Sequence, residues 1–246
     1  MLFLQKKKIP LTSFFKNDFI DIHSHLLPGI DDGAKDLDAS ISLIEKMSSY
    51  GIKNFITTPH ILGGVYPNTP AIIKSKLKEV KDELLKRNIT DISIDAAAEY
   101  MMDAQFSAML EKDAKLLTLK DNLVLVEMSY FSAPINLYEI LFQLQLKGYK
   151  PVLAHPERYH FYHTDFKSYY KLKQAGCLFQ LNLLSLTEHY GKDVKKISKT
   201  LLKENLYDFV GTDAHHQNHL EMLLKIGTKS NLKKIKLLTE NSKRFL

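Results

Sequence analysis

Residues 122–158, NLVLVEMSYFSAPINLYEILFQLQLKGYKPVLAHPER, contain the alternation that decides the fold. Two short apolar runs, NLVLVEMS (122–129) and KPVLAHPER (150–158), flank a segment with helical periodicity that ends at Gly148. Each run stops at polar residues, as a buried strand does where it meets a loop. Strands that alternate with helices predict a parallel sheet, because each crossover helix returns the chain to the same end of the sheet.

The same alternation continues on both sides of this unit. Five further runs end at polar residues: FIDIHSH (19–25), KNFITTPH (53–60), DISIDAAAEY (91–100), CLFQLNLLS (177–185) and YDFVGTDAHH (207–216). Successive strand ends are about 27 to 39 residues apart, which fits a strand plus a crossover helix. Seven such units predict a single-domain α/β fold, a distorted (β/α)7 barrel. An open doubly wound sheet is the alternative, but no G-x-G-x-x-G or P-loop motif follows the first run.

Two connecting segments carry clear signals for the ends of helices. The segment 37–51 places apolar residues on one helical face and ends at Gly51, a predicted C-cap. The segment 69–88 begins with Thr69 as the predicted N-cap and has Pro70 in its first turn.

The composition excludes several classes of site and favours one domain over residues 18–246. The single cysteine, Cys177, rules out a disulfide framework and a multi-cysteine zinc site. The net charge of +6 favours anionic ligands. No nucleic-acid partner is expected, because the lysines are scattered and no basic patch is interleaved with stacking aromatic residues.

Residues 1–17, MLFLQKKKIPLTSFFKN, are interpreted as a short N-terminal leader. The apolar stretch is too short for a signal peptide, and its basic residues follow it instead of preceding it. A loosely ordered segment is favoured over a membrane-surface anchor. No apolar run approaches the roughly 20 residues of a transmembrane helix. A cytoplasmic protein is expected from the single cysteine, because a lone thiol stays reduced inside the cell. The oligomeric state stays open.

Metal-type side chains occur at six of the seven strand ends, which share one face of a parallel barrel. The nine residues are His23, His25, Asp32, His60, Glu99, Glu127, His155, Asp213 and His215. One such residue alone would be an ordinary hydrogen-bonded or solvated side chain, but nine in register favour a common site. The loop after the first strand also carries Asp31.

The ligand types predict two or three divalent ions. Glu127 ends a run that should be buried on both faces, and a buried carboxylate needs a cation or hydrogen-bond partners. Imidazole and carboxylate ligands without a thiolate suit manganese, iron or zinc. Nine ligands exceed the needs of one ion, so a bridging carboxylate is expected. Such clusters polarise a phosphoryl oxygen and generate hydroxide near neutral pH.

Several motifs resemble those of a known superfamily. The strings are DIHSHLLPGIDDGAKD, ITTPH, AAEYMMD, LVEMS, VLAHPERY, QLN and GTDAHH, and they cover most of residues 19–216. They resemble the polymerase-and-histidinol-phosphatase (PHP) superfamily of phosphoesterases, whose fold is a distorted (β/α)7 barrel with a trinuclear metal site. The closer similarity is to the CpsB/YwqE-type protein-tyrosine phosphatases of bacterial capsule and exopolysaccharide systems.

The resemblance implies a role for each matching residue. Its ligand sets are His23, His25, Glu99 and Asp213 for a first ion, Glu99, Glu127 and His155 for a second, and Asp32, His60 and His215 for a third. Glu99 would bridge two ions, and Arg158 would grip the substrate phosphate. Glu99, Asp213 and Arg158 are the expected catalytic residues. The implied reaction is attack of metal-bound hydroxide on phosphorus, with manganese expected first and iron or zinc as alternatives.

Two features of the phosphate site are particular to this sequence. Family members often carry a second arginine shortly after the last Asp-x-His, whereas this chain reads DAHHQNHLEM, with Lys225 as a possible substitute. Asn182 lies at the same predicted rim and is a candidate substrate-binding residue. Four other histidines are interpreted as loop or surface residues and not as ligands: His163, His189, His216 and His219.

The implied function is hydrolysis of phosphotyrosine in protein. The implied partner is the tyrosine kinase that controls polysaccharide export. The alternatives are a small-molecule phosphatase such as a histidinol-phosphate phosphatase, a PHP phosphodiesterase or exonuclease, and a non-catalytic binding module. A nuclease would require a basic groove with stacking aromatic residues, and a binding module would be expected to have lost some of the nine ligands.

Overall fold

The computed structural model describes residue 15 and residues 19–226 and 229–245, with side chains described for all of these except residues 229–232. The predicted leader therefore lies outside the described residues, apart from Phe15. The Phe15 ring is buried and stacks on Phe19, with ring centroids 4.9 Å apart. Within the described ranges, no helix has the length and apolar character that crossing a membrane requires.

Nine short strands occur in the described part of the chain, and every strand pair is parallel. One sheet has the order β1-β2-β4 and the other has the order β3-β5-β6-β7-β8-β9. The strands are β1 (Ile20–Asp21), β2 (Asn54–Thr57), β3 (His60–Ile61), β4 (Ser93–Ala96), β5 (Glu99–Met101), β6 (Leu123–Glu127), β7 (Lys150–Ala154), β8 (Leu178–Asn182) and β9 (Phe209–Gly211).

Helices lie between paired parallel strands, as their crossover connections require, and two more follow β9. They are α1 (Leu37–Ser49), α2 (Pro70–Lys86), α3 (Ala104–Glu111), α4 (Leu137–Leu146), α5 (Lys167–Gln174), α6 (Lys192–Lys203), α7 (Gln217–Leu223) and α8 (Lys229–Asn241). The predicted signals are in place, because the Thr69 hydroxyl accepts a hydrogen bond from the Ile72 N–H at the start of α2. Gly51 follows α1 with φ of +94°, a conformation that glycine adopts without steric penalty.

Two of the seven predicted runs are each interrupted, so that seven runs give nine strands. The run 53–60 contains β2 and the first residue of β3, and the run 91–100 contains β4 and the start of β5. Pro59 has no N–H to donate to a ladder, which accounts for the break after β2. The pairing nevertheless continues across both breaks, since Ala97 N donates to Thr57 O at 2.9 Å and Glu99 N donates to Pro59 O at 3.1 Å.

The predicted α/β class with parallel strands is confirmed, but a closed seven-stranded barrel is not. In the described residues, β1 and β9 share no ladder, and an isolated parallel bridge between Ser24 and Ala214 lies just beyond their carboxyl ends. The backbone also connects there, because Asp213 N donates to His23 O at 2.7 Å. This contact brings the loop after β1 next to the loop after β9, where predicted ligands lie.

The packing of strand β6 determines the direction of the Glu127 side chain. All five of its residues are buried, and alternate side chains enter different apolar clusters. Leu123 and Leu125 belong to the cluster that also contains Ile20 and Phe209, whereas Val124 belongs to the larger cluster beneath the helices. Side chains alternate along a strand, so Glu127 points to the same side as Leu125, above the smaller cluster.

Removing a side chain from this smaller cluster should destabilise the fold. Leu125 is fully buried, so we expect Leu125→Ala to lower the free energy of unfolding by about 2 to 5 kcal/mol, through lost burial and a residual cavity. Leu85→Ala is the matched control, because Leu85 is 65% exposed. We expect this substitution to change the free energy of unfolding by at most about 0.5 kcal/mol. Urea denaturation in the presence of a chelator measures both. Equal effects of the two substitutions would contradict the assignment of Leu125 to the core.

Candidate metal centre

The nine predicted ligands meet at the carboxyl ends of the strands. In each of four groups, the candidate ligand atoms lie within 4.8 Å of one another. The groups are His23, His25 and Asp213; His23, Glu99 and His155; His60, Glu99 and Glu127; and His25, Asp32, His60 and His215. Their division differs in part from the implied sets, because His155 falls with His23 and Glu127 falls with His60. The assignment of ligands to individual ions therefore stays a prediction.

Glu99 lies at the centre of the cluster and is fully buried. Its Oε2 is 3.1 Å from His23 Nε2 and 3.2 Å from His60 Nδ1. Its Oε1 is 3.0 Å from His155 Nε2. Oε2 is buried and has no hydrogen-bond partner, which is costly unless a cation lies nearby. Membership in two groups is what the predicted bridging role requires.

Asp213 joins the cluster to the predicted phosphate-binding residue. Its Oδ1 lies 3.3 Å from both His23 Nε2 and His25 Nε2. Its Oδ2 accepts hydrogen bonds from Arg158 Nη1 at 2.8 Å and from Asn182 Nδ2 at 2.7 Å. One carboxylate thereby orients an arginine with one oxygen while the other oxygen faces the imidazoles.

Two of the predicted ligands have strained backbones. His155 has φ of +35° and Asp213 has φ of +51°, in the left-handed region that non-glycine residues rarely adopt. Such a conformation costs on the order of 1 to 3 kcal/mol and persists where the surroundings impose it. His155 directly follows β7 and Asp213 lies two residues beyond β9, where this turn directs their side chains into the cluster.

The group that contains Asp32, His60 and His215 is the solvent-facing end of the site. Asp32 has a side chain that is 51% exposed, whereas the side chains of His60 and His215 are 13% and 11% exposed. Asp32 Oδ1 is 3.5 Å from His60 Nε2 and 3.4 Å from His215 Nε2. An ion held here would be the most accessible to substrate.

Hydrogen bonds on the far side of the imidazoles fix their orientation. His23 Nδ1 donates to Gln180 Oε1 at 2.8 Å, and His25 Nδ1 donates to Asp31 Oδ2 at 2.9 Å. Each bond leaves Nε2 with its lone pair directed into the cluster, which is how metal-binding histidines are usually held. The sequence interpretation gave Gln180 no role. Gln180 lies two residues before Asn182 in a buried strand, so both side chains point to the same side, and this spacing could have identified Gln180.

The charges of the cluster are balanced by the imidazoles. Burial raises the pKa of Asp213, but His23 and His215 outweigh burial and hold the pKa of this carboxyl well below its usual range. Burial opposes charge on His23 as well, yet Glu99 and Asp213 raise the pKa of His23 above its usual value. Burial and the Glu99 carboxylate raise the pKa of Glu127. A divalent cation would supply the same positive charge and take neutral imidazoles as ligands.

The residues therefore fit a cluster of divalent transition metal ions. The donors are imidazole nitrogens and carboxylate oxygens, the set that manganese, iron and zinc share. Three of the eight buried side-chain polar atoms without a hydrogen-bond partner in the described residues belong to these ligands, namely His60 Nδ1, Glu99 Oε2 and His155 Nδ1.

Arg158 is clamped between two aromatic rings. Its guanidinium carbon lies 4.6 Å from the centroid of Tyr130 and 4.0 Å from that of Tyr190. Cation–π contacts and the hydrogen bond to Asp213 hold the guanidinium group beside the predicted metal ligands. Glu157 does not pair with Arg158. It is fully buried, and it accepts hydrogen bonds from Asn182 N and the Tyr207 hydroxyl.

Asn182 is fully buried, and its side-chain hydrogen bonds are to protein groups. Nδ2 donates to Asp213 and to the Tyr190 hydroxyl, and Oδ1 accepts from Leu184 N. This geometry favours a positioning role over direct substrate contact, and its substrate-binding role stays a prediction.

A cavity of about 360 Å³ opens over the cluster. Aromatic residues that the sequence interpretation gave no role contribute to its wall: Tyr66, Tyr130, Phe131 and Tyr190. His216 and His219 also line it, but neither belongs to a group of described residues that could hold an ion. Arg158 is the sole arginine or lysine among the described lining residues. Lone aromatic residues at loop positions carry no pattern, which explains why they escaped prediction.

The family model for capsular polysaccharide synthesis, CpsB/CapC, matches residues 19–242. The chain belongs to the CpsB/CapC family. The resemblance inferred from the motifs is thereby confirmed.

Curated relatives and a solved structure carry names that state an activity. The tyrosine-protein phosphatase YwqE of Bacillus subtilis (strain 168) is 35% identical over 198 residues, which cover 80% of this chain and 77% of that protein. The tyrosine-protein phosphatase CpsB of Streptococcus pneumoniae is 29% identical over 203 residues, which cover 80% of this chain and 83% of that protein. A crystal structure from work on these two metal-dependent tyrosine phosphatases aligns with a TM-score of 0.76 at 33% identity, covering 90% of this chain and 94% of that chain.

Loss of the central carboxylate should empty the site more completely than loss of the peripheral one. We expect Glu99→Gln to lose about two bound ions and Asp32→Asn about one, because Glu99 belongs to two ligand groups and Asp32 to one. Elemental analysis of protein purified with Mn²⁺ measures occupancy, with circular dichroism as the control for folding. Full occupancy in Glu99→Gln would show that the bridging assignment is wrong.

Proposed function

We propose that the chain is a metal-dependent protein-tyrosine phosphatase that acts in capsule or exopolysaccharide synthesis. The observation that carries this proposal is the position of Arg158, an arginine fork fixed beside nine converging metal-type ligands at an aromatic cavity. The named activity of the family relatives supports it.

The residues divide the work of the reaction. When bound, divalent ions would polarise a phosphoryl oxygen and lower the pKa of a water molecule. Arg158 would bind phosphoryl oxygens, since no described hydrogen bond uses its Nε or Nη2. Asp213 and the two flanking tyrosine rings would hold this fork in place.

The cavity favours an aryl phosphate. Leu62, Tyr66, Met101 and Phe131 form apolar parts of its wall, and a phenyl ring can pack against such surfaces. A phosphoserine side chain would leave this surface without contact. The shape of the wall therefore supports phosphotyrosine as the substrate.

The ligand set and the fold lead to finer proposals. We infer two or three ions, manganese first and iron or zinc as alternatives, held by the nine predicted ligands. We infer that the two sheets are parts of one distorted (β/α)7 barrel. Backbone hydrogen bonds to Thr57 O and Pro59 O continue the pairing past the interruptions, and Asp213 N donates to His23 O where the loops after β9 and β1 meet. The proposed protein substrate is the tyrosine kinase of polysaccharide export, and the proposed compartment is the cytoplasm.

Activity should depend on metal and not on the thiol. We expect exhaustive chelation to abolish hydrolysis of a phosphotyrosyl peptide, and Mn²⁺ to restore it. Alkylation should have little effect, because Cys177 is 1% exposed and burial raises the pKa of its thiol to about 12. Histidinol phosphate and a single-stranded oligonucleotide are the comparison substrates. Full activity in a verified metal-free preparation would overturn the mechanism, and a preference for either comparison substrate would overturn the proposed specificity.

Arg158 should matter for turnover and not for metal binding. We expect Arg158→Ala to lower kcat/KM by about 10² to 10³, the typical effect of removing one electrostatic donor. Arg158→Lys should retain only part of the wild-type kcat/KM, because lysine lacks the planar guanidinium group. Bound metal and melting temperature are the controls, and both should stay near the wild-type values. Wild-type kcat/KM in Arg158→Ala would leave phosphate recognition to the metal ligands alone.

A further inference from the structure

Helix α4 carries an exposed apolar stripe in addition to its buried apolar face. Residues 138, 142 and 146 of α4 are four positions apart and therefore line one side of the helix, and Ile135 lies just before its first turn. The opposite side packs in the core through Leu137, Ile140, Leu141 and Leu144. The α4 stripe comprises Phe131, Ile135, Tyr138, Phe142 and Leu146, with exposed fractions of 95%, 108%, 48%, 58% and 63%.

Exposed apolar side chains are concentrated in this stretch. Six of the twelve exposed large hydrophobic residues of the described chain lie within residues 130–146. The water-facing side of α2, in contrast, carries ion pairs such as Lys78 with Asp82. Single exposed apolar residues are normal, but a contiguous group marks an interaction surface.

The α4 stripe begins inside the wall of the candidate active site. Phe131, together with the neighbouring Tyr130, lines the cavity that contains Arg158. From Leu137 to Leu146 the helix extends the stripe by about 14 Å, at 1.5 Å per residue. An extended polypeptide that left the cavity would cover this length with about four or five residues.

We propose that the α4 stripe binds apolar residues that flank the phosphotyrosine of a polypeptide substrate. The inference rests on the proposed phosphatase function and specifies its substrate class. A polypeptide with its phosphotyrosine in the cavity passes Phe131 as it leaves, so the stripe lies on its path. A second copy of the chain is a poorer occupant, because a stable dimer on the stripe would cover Phe131 and obstruct the cavity.

The test uses positions remote from the chemistry. Phe142 and Leu146 do not line the cavity, so the double variant Phe142→Gln/Leu146→Gln alters the stripe alone. Leu85→Gln is the matched control, since Leu85 is 65% exposed and Leu146 is 63% exposed. The substrates are a phosphotyrosyl peptide with leucines on both sides, the same peptide with serines, and p-nitrophenyl phosphate, all with the Mn²⁺-loaded full chain.

The stripe should act only on the apolar peptide. We expect the double variant to lower kcat/KM for the leucine peptide about tenfold, mainly through KM, which corresponds to about 1.4 kcal/mol. The serine peptide and p-nitrophenyl phosphate should change less than twofold, and Leu85→Gln should match the wild type on all three. A labelled leucine peptide with a non-hydrolysable phosphotyrosine mimic should bind the double variant about tenfold more weakly by fluorescence anisotropy.

Several outcomes would overturn the inference. Equal losses on all three substrates, or no loss on the leucine peptide, would remove the stripe from substrate binding. A dimer in sedimentation that the double variant dissociates, with peptide kinetics unchanged, would assign the stripe to a second copy. Wild-type protein that cleaves p-nitrophenyl phosphate but neither peptide would overturn the proposed function together with this inference. If the double variant cleaves both peptides at the wild-type rate, the proposed binding to the α4 stripe would be wrong, and the proposed phosphatase function would stand.

Discussion

Three carboxylates are removed from water at the centre of the molecule, and the rest of the site is arranged around that constraint. Glu99, Glu127 and Asp213 are each at most 2% exposed. Buried carboxylates require compensating positive charge, which imidazoles or a bound cation can supply. The chain places nitrogen donors from four loops within ion-binding distance of these oxygens, and two left-handed backbone positions hold His155 and Asp213 in place.

The geometry is enforced from outside the cluster. Gln180 and Asp31 fix the rings of His23 and His25, so their free nitrogens face inward. Asp213 extends the same network to Arg158, which is held on both sides by tyrosine rings. The predicted ligands and the proposed phosphate-binding arginine are therefore linked through one carboxylate. A change that shifts Asp213 should disturb metal binding and substrate alignment together.

Chemistry and recognition come from different parts of the fold. The predicted ligands stand at strand ends and in the loops just beyond them, where backbone hydrogen bonds give rigid positions. The aromatic cavity wall and the α4 stripe come from loops and from the outer side of a helix, which tolerate substitution without loss of the core. Residues of the proposed recognition surfaces could therefore change without displacing the predicted ligands.

The sequence by itself determined the parallel α/β class and the nine candidate ligands, because strand-to-helix periodicity and residue type at strand ends are local properties. The family followed from the resemblance of its motifs. Tertiary structure decided the features that depend on long-range distance. Examples are the partner of Arg158, which is Asp213, 55 positions away, and the hydrogen bond between Gln180 and His23. Tertiary structure also decided where two predicted strands are interrupted, that Tyr130 and Tyr190 flank Arg158, and that the α4 stripe is exposed. Apolar residues at helical spacing predict burial, and only the packed neighbours decide which of two apolar faces is covered.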